Sequence, residues 1–391
     1  MTRPLKILLV GIGGYGQNYV NELLENLSRE NLKISGVIDL KPELSDRYGD
    51  LVSMGTAFFS CVEDFYSQNE ADIAIISSPI QYHSPQACTA MLNGSHVLCE
   101  KPLSGSVEDG LKMIETKKKT GKLLAVGYQM SYSKTVLNLK NDIISGMLGK
   151  PIRCRTVLTA PRNRAYYMRN SWAGKLCDSQ GNYIRDSVAN NANAHYLHNM
   201  LYLLGEHIDS SSMPETVQAE LYRANPIETF DTAAVRIMTQ GNVEVTFFTT
   251  HATKEVILPR IAMEFENGIV EYDGTVDEDF KVICRDGSII RYGDPNEDQM
   301  NKLWSLVEAV RNNTHVACGP ESALAHTICI EAMHNSMEPV DFPPDIEKFD
   351  EDERMLWVDG LSEVLLSCYE NWALPSEMNI GWAKQGKKIR I

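Results

Sequence analysis

The chain opens on an apolar run, Leu5-Lys6-Ile7-Leu8-Leu9-Val10, that stops at Gly11-Ile12-Gly13-Gly14-Tyr15-Gly16. Beyond the glycines, Val20, Leu23, Leu24 and Leu27 recur on one face of a helix. A second run, Ile34–Ile38, ends in Asp39, and a polar helix-like stretch leads to Tyr48. The pattern then predicts a strand over Thr56–Phe59, a helix over Val62–Tyr66 and a strand over Ala71–Ile76. A helix follows from His83 through Leu92, then a strand over His96–Cys99, a helix over Val107–Lys118 and a strand over Leu123–Gly127. Strand and helix alternate throughout, and Ala71–Ile76 is apolar on both faces. This predicts a parallel, doubly wound α/β sheet of the Rossmann kind.

The pattern changes at Pro151. Ile152–Leu158 reads as a strand, and Pro161–Lys175 as a long loop rich in arginine and aromatic residues. A helix ends at Gly205 with Leu197, Leu201 and Leu204 on one face. Strands follow over Thr216–Tyr222, Thr232–Met238, Val243–Thr250, Arg260–Glu266, Ile269–Tyr272 and Phe280–Cys284. Several alternate cleanly between apolar and polar positions, which predicts a large, mainly antiparallel sheet in an α+β domain. One face would pack on helices and the other would be free to meet a partner. Helices are expected over Met300–Arg311, Glu321–Met333 and Met355–Tyr369. The domains are therefore expected at 1–130 and 131–391.

In a doubly wound sheet, ligands sit beyond the carboxyl ends of the strands. The glycine turn, Asp39, Ser77-Ser78-Pro79, Glu100-Lys101-Pro102 and Gln129 all fall at that edge. The turn has the form G-x-G-x-x-G. Gly11 suits the tight turn, Gly13 the approach of a pyrophosphate, and Gly16 the close packing of helix on strand. Asp39 lies about the expected ~20 residues further on, where a carboxylate accepts both ribose hydroxyls. That favours NAD over NADP, although Lys41 stands close by. Lys101, directly after a strand and held by Pro102, is placed to point over a nicotinamide edge. In the long loop, Arg164, Tyr167 and Trp172 suit a polyol or sugar, through hydrogen bonds and a stacking face.

With 391 residues the chain exceeds one ordinary core. A net charge of −15, from 37 basic and 52 acidic residues, argues against nucleic acid or an anionic membrane as partner. No apolar run reaches the ~18 residues that span a bilayer. The nine cysteines show no C-x-x-C pair and no signal segment is seen, so a reducing cytoplasm is expected. His195-x-x-His198 would invite a metal, but no third ligand stands at a recognisable spacing, and none is expected.

The glycine turn, Asp39, the S-P-x-x-x-H from Ser78 to His83 and the C-E-K-P-L from Cys99 to Leu103 occur in order. Together they resemble the glucose–fructose oxidoreductase / inositol dehydrogenase (Gfo/Idh/MocA) family. Ile80 departs from it, where the family often has Asn. The resemblance implies a bound NAD(P), contacted by Gly11–Gly16, Asp39, Ser77, Ser78, Pro79, His83, Glu100, Lys101 and Gln129. It also implies that Lys101 touches both cofactor and substrate hydroxyl.

Further on, Asn191-Ala192-Asn193-Ala194-His195-Tyr196-Leu197-His198 resembles the family's D-x-G-x-H-x-x-D signature. His195 takes the place of the general base. Asn191 stands for the first Asp, Asn193 for Gly and His198 for the second Asp. In a helix Asn191 and His195 would share a face. An amide at 191 can orient an imidazole but offers no counter-charge, so Asp186 is the acid that could substitute. Lys101, His195 and Asn191 are thus the expected catalytic residues. Arg164, Tyr167, Trp172 and His198 join them toward substrate. The implied reaction is hydride transfer between a secondary alcohol of a sugar or cyclitol and nicotinamide, in a homodimer or homotetramer. Two alternatives share the fold: redox-assisted glycoside cleavage with retained NAD, and a non-catalytic sugar-sensing regulator.

Overall fold

A computed structural model describes residues 3–391; residues 1 and 2, counted in the expected first domain, lie outside the described residues. The chain forms two compact units. One comprises residues up to Tyr132 together with Asp298–Leu324, and the other Ser133–Glu297 with Ala325–Ile391. The segment Asp298–Leu324, expected in the second domain, thus belongs to the first.

The first unit runs β1 (Leu5–Val10), α1 (Gly16–Asn26), β2 (Leu32–Ile38), α2 (Tyr48–Ser53), β3 (Phe58–Phe59) and α3 (Val62–Tyr66). It continues with β4 (Ile73–Ile76), α4 (His83–Leu92), β5 (His96–Cys99), α5 (Val107–Thr120) and β6 (Leu124–Val126). The six strands lie in the order β3-β2-β1-β4-β5-β6, all parallel. Ile7–Val10 and Ile73–Ile76 are fully buried, as helices on both faces require. Local signals set the helix ends. In α5 the Ser106 hydroxyl caps the Asp109 N–H, acids fill the first turn, lysines the last, and Gly121 closes it left-handed. The polar stretch before Tyr48 is not one helix. Pro42–Leu44 makes a single 3₁₀ turn, and α2 starts only at Tyr48.

The second unit begins with α6 (Lys134–Ile144), β7 (Pro151–Thr159), α7 (Arg164–Met168) and α8 (Ala194–Leu203). Strands β8 (Pro214–Arg223), β9 (Thr232–Thr239), β10 (Glu244–Thr250), β11 (Arg260–Phe265), β12 (Gly268–Asp273), β13 (Asp277–Cys284) and β14 (Ile289–Gly293) follow. The loop expected over Pro161–Lys175 contains α7, capped by the Asn163 side chain.

The chain then passes through α9 (Asn301–Asn312), which belongs to the first unit, and α10 (Pro320–Ser336). It ends with β15 (Val340–Asp341), β16 (Glu347–Asp350), β17 (Met355–Val358), α11 (Leu361–Asn371) and β18 (Ile389–Arg390). The helix expected from Met355 is therefore split. Met355–Val358 pairs antiparallel with Glu347–Asp350, and Gly360, at φ 71°, turns the chain into α11.

The large sheet has the order β14-β13-β12-β11-β7-β10-β9-β8-β15, with β18 also on β8. It is antiparallel except at β7/β10 and β8/β15. Helix α8 packs on one face, where the Thr156 hydroxyl meets the Met200 sulfur at 3.0 Å. The opposite face was expected to be free for a partner. Over the central strands it is covered by α11: Leu361, Leu365 and Cys368 pack with Val157, Ala234 and Phe248. Arg155 donates to the Tyr369 carbonyl at 2.7 Å and stacks over the Tyr369 and Trp372 rings. Beyond β7 that face carries ion pairs, Arg153–Glu264, Arg260–Asp273 and Lys281–Glu271. The face expected to be bare and apolar is thus covered by α11 over its central strands and charged beyond them.

Candidate functional site

In the first unit the glycine turn has the geometry its spacing implies. Gly11 sits at φ 79°, and a Cβ there would lie 3.0 Å from the Ser77 carbonyl. A Cβ on Gly16 would stand 2.2 Å from the Gly11 oxygen, so only glycine lets α1 come this close. A Cβ on Gly13 would meet nothing within 4 Å, because this residue faces open space. Gly14 adopts φ 52°. Among the described residues none accepts a hydrogen bond from the amides of Gly13, Gly14 or Tyr15. Free N–H groups at a helix start, next to open space, fit a pyrophosphate.

Asp39 is fixed beside them. One carboxylate oxygen accepts the Ile12 N–H at 2.9 Å and the other the Lys41 N–H at 2.8 Å. Each oxygen keeps a lone pair, so the group can still take two ribose hydroxyls.

The other predicted residues of this edge divide. Ser77 donates its N–H to Val10, and the Ser78 hydroxyl donates to Gln86 at 2.6 Å. Pro79 leads into a 3₁₀ turn in which Ile80 is buried, and Gln129 begins another. Lys101 is half-buried at the carboxyl end of β5. His83 is buried, with ring nitrogens 2.8 Å from the Pro102 carbonyl and 2.9 Å from that of Ser78. Burial holds its pKa below the usual value against the pull of those carbonyls. It is a strut between two loops of the edge.

Glu100 also turns inward. It accepts from Tyr19 at 2.6 Å and from the Lys101 N–H at 3.1 Å, and it pairs with Lys302. Burial alone would raise its carboxyl pKa, but the Lys302 ammonium, with the Tyr19 hydroxyl and the Lys101 charge, holds it below the usual range. Lys302 escaped the sequence reading because nothing local marks a helix residue 202 positions later as its partner. A surface cleft of about 860 Å³ lies at the opposite edge, by Lys6, Leu32 and Thr56, and contains none of these residues.

In the second unit His195 is the second residue of α8 and is half-buried. Asn191 lies in the turn before the helix, so the two do not share a helical face. Its side-chain amide donates to Asp186 at 2.8 Å. Asp186, 3% exposed, also accepts the Gly174 N–H at 2.7 Å and lies 3.7 Å from Arg169. The acid considered as a substitute does meet Asn191. His198, expected toward substrate, is 1% exposed and stacks on Tyr202. Burial, then His326 and Lys140, hold its pKa well below the usual value. It belongs to the core of the unit.

The loop aromatics serve their own neighbours. Arg169 lies over Tyr166 at 3.8 Å and over Trp172 at 5.1 Å. Arg164 is exposed and stacks on Phe349. Tyr167 packs edge-on against Tyr166, and burial raises its pKa well above the usual value. Its hydroxyl has no hydrogen-bond partner among the described residues. His251, unmarked in the sequence, packs beside both tyrosines; burial pushes its pKa down to about 3. Among the described residues, no three His, Cys, Asp or Glu side chains gather to hold a metal. Nor, among the described residues, is any helix long and apolar enough to cross a membrane.

Turn, helix start and acidic strand end define a dinucleotide-binding Rossmann unit. Residues 5–128 match the model of the Gfo/Idh/MocA oxidoreductase family, with an NAD-binding Rossmann fold. An inositol 2-dehydrogenase of Salmonella typhimurium is 28% identical over 149 residues, 38% of this chain and 44% of that protein. A glycosyl hydrolase family 109 protein of Shewanella woodyi is 29% identical over 160 residues, 39% and 34% of the two chains. The chain thus matches less than half the length of these curated relatives. Among solved structures, the WlbA dehydrogenase of Bordetella pertussis, in complex with NADH and UDP-GlcNAcA, superposes with a TM-score of 0.68. It is 21% identical, over 85% of this chain and 96% of that one. An aldose-aldose oxidoreductase of Caulobacter crescentus gives 0.67 at 18% identity, over 85% and 97%. These two share the fold across most of the chain.

Proposed function

We propose that the protein is an NAD(P)-dependent oxidoreductase that moves a hydride between a secondary alcohol of a sugar or cyclitol and nicotinamide. The observation that carries this reading is the open Gly13 cradle, with free amides at the start of α1 and Asp39 fixed beside it. The amides of Gly13, Gly14 and Tyr15 would bind the pyrophosphate, and Asp39 the adenosine ribose. Bound NAD(P) supplies a hydride acceptor at the nicotinamide ring. Lys101 donates a hydrogen bond to the substrate oxygen and stabilises charge on it. His195 takes the hydroxyl proton on its imidazole. Asn191, held by Asp186, orients that ring without adding a counter-charge. The substrate class draws support from the relatives, an inositol dehydrogenase by name and a dehydrogenase structure holding a UDP-sugar acid.

A screen of sugars, cyclitols and sugar acids with NAD and NADP, read by absorbance of the reduced nicotinamide, tests the proposal. Reduction with at least one substrate class is expected. No reduction with any of them would refute it. The family 109 relative favours a second reading, glycoside cleavage with retained NAD. Release of nitrophenol from aryl glycosides, with no net change in cofactor, would select it.

A further inference from the structure

We propose that Lys302 of α9 is a positioning residue for the dinucleotide-binding turn, an inference that rests on the cofactor reading above. Its side chain is 0% exposed, and its ammonium lies between two parts of the carboxyl edge. On one side it pairs with Glu100, whose carboxylate also receives the N–H of Lys101. On the other it donates to the Tyr15 hydroxyl at 3.0 Å and lies 4.3 Å from the centre of that ring. Tyr15 is the residue of the turn just before α1, and its peptide N–H is one of the free amides of the cradle. Tyr19, one helical turn on, packs edge-on against Tyr15 and donates to Glu100.

One ammonium therefore ties the phosphate turn to the loop that carries Lys101. Two further contacts hold α9 nearby. Trp304 donates to Glu22 of α1 at 2.8 Å, and Arg311 reaches Glu30 in the turn after α1. The Glu100 pocket is also tight: a Cβ on Gly127 would stand 2.7 Å from its carboxylate. A buried cation–carboxylate pair is poor evidence for stability, since apolar pairs of like volume often serve as well. What an apolar pair cannot replace is the donor that holds the Tyr15 hydroxyl. Segment Asp298–Leu324 thus completes a cofactor site whose sequence motif lies almost 300 residues earlier.

The test is NADH affinity, by nicotinamide fluorescence, beside thermal melts of the cofactor-free protein. Lys302→Met alone strands a buried carboxylate and should lower the melting temperature. Lys302→Met with Glu100→Gln removes both charges and should recover most of it. The double variant is nevertheless expected to bind NADH roughly 10-fold more weakly, the scale of one charged hydrogen bond. Tyr15→Phe loses only the hydroxyl, leaves the ion pair in place, and should show the same weakening at an unchanged melting temperature. Wild-type affinity in the double variant overturns the proposal; should that variant not fold, wild-type affinity in Tyr15→Phe does so. Absence of NADH binding to the unaltered protein would instead overturn the cofactor reading, before any variant is compared.

Discussion

Replacing Gly13 by alanine separates the two uses of glycine in the turn. A Cβ at Gly13 meets nothing within 4 Å, and its φ is not positive, so the cofactor-free fold should accept the methyl. Restricting the unfolded chain should even stabilise it by roughly 0.4–1 kcal/mol. The methyl would stand where the pyrophosphate comes down onto the amides. Losing one charge-assisted hydrogen bond, about 1.5–3 kcal/mol, weakens NADH binding by ~10–100-fold. Gly16→Ala is the control with the opposite stability effect. Its methyl would lie 2.2 Å from the Gly11 oxygen, more than an ångström short of ordinary contact. The obstacle is backbone and cannot rotate away, so the cost should be ~1–3 kcal/mol or more. Calorimetric titration with NADH and a thermal melt read both quantities. If Gly13→Ala binds NADH as tightly as the original chain, the pyrophosphate does not lie on this turn.

Three further outcomes are expected. Asp39→Ala should shift the ratio of NADH to NADPH affinity toward NADPH by about tenfold or more, because the carboxylate that repels a 2′-phosphate is gone. Both affinities can fall as Ile12 and Lys41 lose their acceptor, so the ratio from parallel titrations is the readout, and an unchanged ratio counts against the assignment. Lys101→Ala and His195→Ala should each lower turnover by ~10²–10⁴-fold with NADH affinity retained; full activity of His195→Ala would move the base elsewhere. Stability should fall with acid. His251, held near 3, and His334, held near 4, both by burial, take protons in the unfolded chain near the ordinary 6.5 but resist them in the fold. Their contribution is complete above that value and is lost as pH falls through it toward 4. A melting temperature that stays level from about pH 7 to about pH 5 would contradict this.

The sequence by itself determined what rests on neighbours along the chain. The glycine spacing dictates the turn: Gly11 takes its positive φ, and Gly16 lets the helix start close on the Gly11 oxygen. Asp39 follows because β2 must return to lie beside β1 before it ends. The α5 boundaries are written in Ser106, its first-turn acids and Gly121. Periodicity also separated a parallel sheet from a mainly antiparallel one, since burial on two faces or one leaves different patterns.

Tertiary structure decided whatever needed a partner from far away. Glu100 and His83 carry the same motif letters whether they face a cofactor or the interior. Only the arrival of Lys302 and of the Pro102 carbonyl turns them inward. His198 is polar in the sequence but core in the fold, because α8 presents that face to the interior of its unit. Asn191 meets Asp186 across a turn that breaks the helical register assumed for it. Met355–Val358 has helical spacing toward Leu361, yet pairing with Glu347–Asp350 and the left-handed Gly360 make it a strand. The central part of the sheet face that looked available is covered by α11, because alternation tells which residues seek burial, not which segment will bury them.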